Sequence, residues 1–410
     1  MLIKNIKSLV QVEEQPRNKV CGADMNHLNT LENSWLLIEE GVISDFGSMN
    51  NMPKGEYGAV IDASGRFVLP SFCDSHTHLV YAGSREQEFI DKLNGLSYQE
   101  IARRGGGILH SMEKLAQTSE EELFEQSVCR AKEIIASGTG AVEIKSGYGP
   151  DLKSELNMLR VAKRIGRETP LEVKTTFLGA HAVPKTYSDR KEAYVQALIH
   201  TYIPEVADQG LADYIDVFCE EGFFSVDDTD RILNAGIKYG LRPKVHANQL
   251  SFSGGVQVGV KHNAISVDHL ESTDTKEFKV LKNTETMPVA LPGASFFLNM
   301  HYAPVKKMID YGLPVALASN YNPGSCPSGD MKFILSLACI KMKLNTKQAI
   351  NAATLNGAYA MGLSRSHGSI AKGKIANLFI TQAIPSLDFI PYAFNAQIID
   401  TIILKGKIIS

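Results

Sequence analysis

The stretch Phe67-Val-Leu-Pro-Ser-Phe-Cys-Asp-Ser-His-Thr-His-Leu79 decides the reading of this chain. An apolar run interrupted by one proline, followed by small and polar residues, reads as a β-strand with a functional end. His76 and His78 close it. Residues two apart on a strand point to the same face, so the two imidazoles converge on one point. Neutral imidazole is the commonest metal ligand, and this spacing suits one divalent ion such as zinc or iron. The competing reading is a pair of core or surface histidines at a strand end, and the rest of the chain must decide between the two.

Ahead of this stretch, residues 1–66 read as short strands with turn punctuation. Trp35-Leu-Leu-Ile-Glu-Glu-Gly-Val-Ile-Ser-Asp-Phe-Gly47 is two strands around a Glu-Gly turn, and Val60–Gly65 is a further strand and turn. The other end behaves alike, with strand-turn units over 368–380 and 398–409. Chain termini often lie close together. The expectation is a small β-sandwich-like domain built from both ends, residues 1–66 plus 364–410.

Between these ends, over 67–363, apolar runs alternate with amphipathic helical stretches. Eight strands are expected: Phe67–Cys73, Ala141–Lys145, Val173–Gly179, Tyr214–Phe218, Pro243–Ala247, Ala264–Asp268, Met287–Leu291 and Val315–Ser319. Glu120–Ser137 and Lys153–Glu168 are the clearest helices, with charges on one face and Leu, Ile, Val and Ala on the other. This is an α/β chain, and the pattern is that of a (β/α)8 TIM barrel. In that fold the chemistry sits just past the C-terminal ends of the strands.

The unusual residues fall there. Five of the 11 histidines, His76, His78, His181, His246 and His269, sit on expected strand ends. His76, His78 and His246 suit a metal that keeps one position open for water. His269 suits a base or a donor to a carbonyl. Arg85, shortly after the first strand, offers a planar fork for a carboxylate. Tyr148, in Lys145-Ser-Gly-Tyr-Gly149, presents a hydroxyl from a glycine-flanked loop, and Tyr98 is a similar candidate. Asn322-Pro-Gly-Ser325 after the eighth strand reads either as a plain tight turn or as a nest of backbone N–H groups for an anion. Glu220, Glu221 and Glu271 read as solvated or salt-bridged acids.

Composition narrows the function. The 410 residues are 44% apolar and 21% charged, with a net charge of −3. That is ordinary for a globular enzyme and offers no basic footprint for nucleic acid and no polybasic patch for a membrane. No run approaches the roughly 18 apolar residues of a spanning helix. Met1-Leu-Ile-Lys-Asn-Ile-Lys lacks the apolar core of a signal peptide. A cytoplasmic location is expected. The six cysteines form no Cys-x-x-Cys pair and are expected to be reduced thiols.

Several pieces together resemble the imidazolonepropionase family of the amidohydrolase superfamily: Asp74-Ser-His-Thr-His-Leu-Val-Tyr-Ala-Gly-Ser-Arg85, Gly105-Gly-Gly-Ile108, Lys145–Gly149, Phe177-Leu-Gly-Ala-His-Ala-Val-Pro184, Lys244-Val-His-Ala-Asn-Gln249, Ser266-Val-Asp-His-Leu-Glu271 and Asn322–Ser325. The resemblance spans nearly the whole chain in the family's order. His-Thr-His is shared across the superfamily, whereas Lys-Ser-Gly-Tyr-Gly and Asn-Pro-Gly-Ser are much more specific. The resemblance implies hydrolytic ring opening of the small molecule 4-imidazolone-5-propionate to N-formimino-glutamate in histidine catabolism. It also implies one zinc or iron ion and a homodimer. Carried over by motif, His76, His78, His246 and position 320 would hold the metal. Arg85, Tyr98, Tyr148, His181, Gln249, Asn322, Gly324 and Ser325 would contact substrate or product, and His269, Gln249 and position 320 would act in catalysis.

One departure matters. The superfamily places an aspartate at the end of the eighth strand, and here that residue is Asn320. Gln249 likewise stands where some relatives have glutamate. An amide offers a carbonyl oxygen to a metal but cannot take a proton. The chain is then an engineered Asp→Asn form, a natural variant in which His269 serves as base, or a degenerate member that binds an imidazole-like ligand without turnover. A heterocyclic-base deaminase of the same superfamily is a further alternative. Arg85 and Tyr148 speak against it, because an uncharged base needs no carboxylate clamp.

Overall fold

The computed structural model describes residues 1–96, 100 and 106–409. Tyr98 lies outside the described residues, as do Ser97, Gly105 and part of the segment between them. The described residues form sixteen strands: β1 Leu2–Val10, β2 Thr30–Glu39, β3 Val42–Ser48, β4 Val60–Asp62, β5 Arg66–Pro70, β6 Phe72–Thr77, β7 Thr139–Lys145, β8 Glu172–Ala180, β9 Tyr214–Cys219, β10 Arg242–Ala247, β11 Ser266–His269, β12 Met287–Ala290, β13 Ala316–Leu317, β14 Leu378–Ala383, β15 Ile399–Leu404 and β16 Lys407–Ile408.

Strands β6 to β13 form one parallel sheet in sequence order. The edges meet beyond β13, where Asn320 N–H donates to His76 O (3.0 Å) and His78 N–H donates to Tyr321 O (2.9 Å). The result is a TIM barrel with helices on its outside. The helices over Glu120–Ala136 and Leu152–Glu168 form as expected. Ser119 and Asp151 cap them by accepting the N–H of Glu122 and Ser154.

The second sheet runs β16-β15-β14-β5-β1-β2-β3, with β4 beside β1. It draws on both ends of the chain and curls back on itself. Ile43 N–H donates to Lys374 O (2.8 Å), Ala376 N–H to Gly41 O (2.9 Å) and Gly406 N–H to Ala376 O (3.1 Å). The curl encloses Ile3, Ile6, Leu36, Ile43, Leu378, Ile380 and Ile403, the sandwich-like arrangement expected.

The opening stretch differs from expectation. Phe67–Cys73 is not one barrel strand, and the junction expected at residue 67 falls inside β5. Strand β5 pairs with β1 and β14 of the small sheet, and the barrel begins at Phe72. Successive amides change sheets: Ser71 N–H donates to Asn377 O and Phe72 N–H to Gly138 O, both at 2.9 Å. Pro70, which has no N–H, stands just before the switch. The eighth strand is also shorter than expected, two residues instead of five. All six cysteines are unpaired. Among the described residues no helix is long and apolar enough to cross a membrane.

Candidate active site

Strand β6 carries His76 next to its last residue, Thr77, with His78 just beyond it, and β10 and β11 bring His246 and His269. Centroids of the His76 and His246 rings lie 4.5 Å apart, those of His246 and His269 5.2 Å, and those of His78 and His246 5.5 Å. His181, after β8, stacks on His78 at 5.0 Å. Two triplets place their ligand atoms within 4.8 Å of one another: His76, His246 and His269, and His78, His181 and His246. His246 belongs to both. Burial pushes the pKa of His181 down to about 3 and of His246 to about 4, and holds His76 and His78 well below the ordinary histidine value. The imidazoles are therefore neutral and keep their lone pairs.

Carboxylates orient two of the rings. His76 Nδ1 lies 2.6 Å from Asp268 Oδ2, which turns Nε2 toward the cluster. His246 Nδ1 lies 3.0 Å from Asp216 Oδ2 without the alignment of a hydrogen bond, and the His246 backbone N–H donates to Asp216 Oδ1 at 3.1 Å. Second partners of this kind fix the tautomer and raise the basicity of a ligating histidine. Lys145 Nζ joins the two carboxylates, 2.8 Å from Asp216 and 3.7 Å from Asp268, and donates to Glu143 Oε1 at 2.6 Å. Glu143 Oε1 also accepts from Thr176 Oγ1 (2.5 Å), and Glu143 Oε2 accepts from Lys244 Nζ. All these charged side chains are fully buried. Burial lowers the pKa of Lys145, but Asp216, Glu143 and Asp268 outweigh it and keep the ammonium protonated.

Above this charged layer the opposite holds. His76 Nε2, His78 Nδ1, His246 Nε2, His269 Nδ1 and Asn320 Oδ1 are buried polar atoms without a hydrogen-bond partner. Buried polar atoms are seldom left so. The neutral nitrogens of His76, His78 and His246 and the amide oxygen of Asn320 make a donor set that fits a divalent ion. The Asn320 amide is turned for it, since Nδ2 donates to Ser325 Oγ (3.3 Å) and leaves Oδ1 inward. The backbone here is forced: φ is 87° at His269, 70° at Leu270 and 60° at Asn320. Asparagine tolerates this region, whereas His269 and Leu270 store strain of the kind that collects at working sites.

A cavity of 310 Å³ opens over the cluster. His78, Arg85, Tyr148, His181, His246, Gln249, His269, Asn320, Asn322, Gly324 and Ser325 all line it, every expected site residue that is described except the buried His76. Ile108, Phe218, Phe223 and Leu298 supply apolar wall, and Lys92 adds a cation that sequence reasoning missed. The Lys145–Gly149 loop is held by Glu155, whose carboxylate accepts the N–H of Gly147 (3.0 Å) and Gly149 (2.6 Å). Gly147 has φ of 109°, and a Cβ there would meet Leu178 O at 2.9 Å. Arg85 donates to Glu88 through Nε (2.9 Å) and Nη2 (2.5 Å).

Two sequence expectations need correction. The Asn322–Ser325 turn holds no free N–H nest, because Gly324 N–H and Ser325 N–H both donate to Asn322 Oδ1 at 2.8 Å. Glu220 and Glu271 are neither solvated nor paired with a lysine or arginine. Glu220 is buried and accepts Leu250 N–H (3.0 Å) and the Ser251 hydroxyl, holding the loop after Gln249. Glu271 is buried, accepts the Ser295 hydroxyl at 3.1 Å, and puts Oε2 3.7 Å from His269 Nδ1. The roles of Glu88, Glu143, Asp216 and Asp268 were also missed. An acid inside an apolar strand, as in Tyr214-Ile-Asp-Val-Phe218, and the period-2 pairs Glu143/Lys145 and Lys244/His246 were the available signals.

Comparison with known proteins agrees with this geometry. The model of the amidohydrolase family matches residues 176–409. The imidazolonepropionase of Christiangramia forsetii is 57% identical, with both chains covered in full, and that of Flavobacterium johnsoniae is 56% identical, covering 100% of this chain and 99% of its own. Among solved structures, the zinc complex of the Arthrobacter aurescens atrazine chlorohydrolase superposes with a TM-score of 0.72 at 14% identity, covering 99% of this chain and 94% of that one, a likeness of fold alone. A barrel with its histidines at the strand ends, matched over its full length by these relatives, belongs to the imidazolonepropionase family of amidohydrolases.

Proposed function

We propose that this chain opens the ring of 4-imidazolone-5-propionate with water, giving N-formimino-L-glutamate in histidine breakdown. The observation that carries the reading is the set of four unpartnered buried atoms, His76 Nε2, His78 Nδ1, His246 Nε2 and Asn320 Oδ1, beneath a cavity that also presents Arg85. His76, His78, His246 and Asn320 would hold one divalent metal, zinc or iron. Such an ion supplies Lewis acidity to the amide carbonyl and makes water more acidic.

The remaining work falls to the chain. Asp268 and Asp216 hold His76 and His246 with their far nitrogens inward. Arg85, fixed on Glu88, keeps Nη1 for the propionate. Gly324 permits that approach, because a Cβ there would lie 2.0 Å from Nη1. Tyr148, His181, Gln249, Asn322 and Ser325 border the ring, and Tyr98 is assigned to the same role by motif. His269 takes a proton from the attacking water on Nε2, the nitrogen remote from Glu271. It returns that proton to the ring nitrogen as the C–N bond breaks. The reading also takes the enzyme to be cytoplasmic and homodimeric. Phe296, Phe333 and Phe394 form a run with centroids 5.3 and 6.3 Å apart, and Phe296 and Phe394 are half exposed, which would suit a subunit contact.

A second reading, binding without turnover, draws on one observation: among the described residues no carboxylate lines the cavity. Turnover of imidazolone propionate, followed by ultraviolet absorbance with zinc supplied, separates them for this chain and Asn320→Asp side by side. The expected result is turnover by both, with the aspartate variant faster by about 10²-fold or more, the usual worth of a positioned base. Binding without turnover by the parent chain alone would make it a binding protein. Failure of both, or ammonia release from a purine or pyrimidine instead, would overturn the substrate assignment.

A further inference from the structure

Tyr148 and His181 reach the cavity from the loops that follow β7 and β8. One side chain that forms no part of the cavity lining is tied to both loops. Glu155 stands in the first turn of the helix Leu152–Glu168 and is fully buried. Side chains on a helix tilt toward its N-terminus, so an acid at this position reaches back over the loop that feeds the helix. Its Oε1 accepts the N–H of Gly147 at 3.0 Å and of Gly149 at 2.6 Å, and its Oε2 lies 3.2 Å from the same Gly147 nitrogen. Tyr148 is thereby bracketed, with the amides of both flanking glycines held by one oxygen. A Cβ on Gly149 would lie 2.7 Å from that oxygen, so glycine is what lets the carboxylate close.

The hold extends to the next strand. The Ser146 hydroxyl bonds to Glu155 and accepts Leu178 N–H from β8 at 3.0 Å. His181 Nδ1 lies 3.2 Å from Gly147 O. Gly147 therefore joins Glu155 through its N–H and His181 through its carbonyl. A carbonyl only accepts, so the neutral His181 carries its proton on Nδ1 and keeps a lone pair on Nε2. Burial pushes the pKa of Glu155 up to about 7, and a proton on Oε2 leaves Oε1 an acceptor.

We propose that Glu155 is a positioning residue: its Oε1, by fixing Gly147 and Gly149, sets the Tyr148 hydroxyl and the His181 imidazole against the ring of the bound ligand. The identity of that ligand rests on the ring-opening reading. The acceptor atom matters more than the charge, because both amides meet one oxygen, and an amide side chain of the same length keeps it.

The test compares Glu155→Gln, which keeps Oε1, with Glu155→Met, which removes it, each alone and combined with Tyr148→Phe, on imidazolone propionate with zinc supplied. A hydrogen bond to substrate is worth about tenfold or less, and loss of binding alone appears in KM, so Glu155→Met is expected to raise KM by about fivefold to tenfold, with kcat within about twofold and metal content unchanged. Glu155→Gln is expected to stay within about twofold of the parent in both constants, since its acceptor remains. Residues that act through one another are not additive, so the KM penalty of Glu155→Met is expected to shrink by about threefold or more in the Tyr148→Phe background. An unchanged KM in Glu155→Met, an equal rise in Glu155→Gln, loss of metal, or an undiminished penalty beside Tyr148→Phe would overturn the proposal. Should Glu155→Met fail to fold, Glu155→Asp, one methylene short of the loop, takes its place with the same expectations. Calorimetric binding of imidazole-4-propionate gives the same comparison without turnover. If the parent chain neither opens the ring nor binds that acid, the ring-opening reading fails, while amide hydrogen exchange over residues 146–151 still decides the role of Glu155. That exchange is expected to be about tenfold or more faster in Glu155→Met than in the parent or Glu155→Gln, and an unaltered rate would overturn the proposal.

Discussion

Two layers lie one above the other inside the barrel, and they are built on opposite rules. In the lower one Glu143, Lys145, Asp216, Lys244 and Asp268 are fully buried charges, and all but one of their side-chain polar atoms, Asp268 Oδ1, find a partner. In the upper one His76, His78, His246, His269 and Asn320 each carry a buried side-chain atom that finds none. A buried charge is tolerated only when paired, so the lower layer must be closed. A buried neutral donor can wait for a ligand at smaller cost. The lower layer holds the upper one in register through Asp268 and Asp216, which each belong to both. Rigid support below and open valence above are what a binding centre needs.

The contrast can be broken at its strongest point first. His246→Ala removes the residue shared by both histidine triplets. It is expected to release the metal and to lower turnover by on the order of 10³-fold or more, the scale on which removal of an essential catalytic element acts. Metal content after dialysis and kcat report it; retention of stoichiometric metal would take His246 out of the donor set.

The lower layer should respond in stability. Glu143→Gln leaves Lys145 and Lys244 short of a counter-charge, a change worth about 3–5 kcal/mol when a buried pair is broken. Denaturant unfolding of the metal-free protein would show it. A loss below about 1 kcal/mol would mean that the layer relaxes by taking in water.

The smallest effect concerns a buried histidine outside both layers. His367 has its pKa lowered to about 4 by burial first and then by Lys374. Its folded pKa lies below the unfolded value, so the unfolded chain binds more protons between about pH 4 and 6.5. Its contribution is complete above the unfolded pKa and is lost as pH falls through that window, by at most about 1.4 kcal/mol per pH unit. His367→Gln should flatten the acid limb of stability against pH by that amount and leave the metal-dependent part in place. An unaltered slope would show that the acid limb belongs to the site histidines alone.

Much of this was legible in the chain because period-2 strands force chemistry onto one face. His76 and His78, and the strand-end positions of His246 and His269, follow from spacing alone, and the eight strands follow from alternation of apolar runs with amphipathic helices. What stayed hidden depends on partners distant in sequence. Phe67–Phe72 looks continuous, and only the hydrogen bonds to Asn377 and Gly138 show that it serves two sheets. Asn322 filling its own turn, Glu220 tying down Leu250, and Glu88 holding both Arg85 and the Gly107 N–H are facts of three-dimensional geometry. Acid or amide at position 320 was visible at once, yet the outward turn of its Nδ2 toward Ser325 was not.

The hydrogen bonds that close the barrel have a thermodynamic consequence. Strand β13 is two residues long, and the ring of strands is completed by the backbones of His76, His78, Asn320 and Tyr321. Three of these four carry side chains of the donor set. Anything held across those side chains clasps the first strand to the last, so occupancy and closure are linked. By reciprocity, whatever loosens the join weakens the grip on the ligand by the same free energy, and whatever tightens the grip keeps the circle shut.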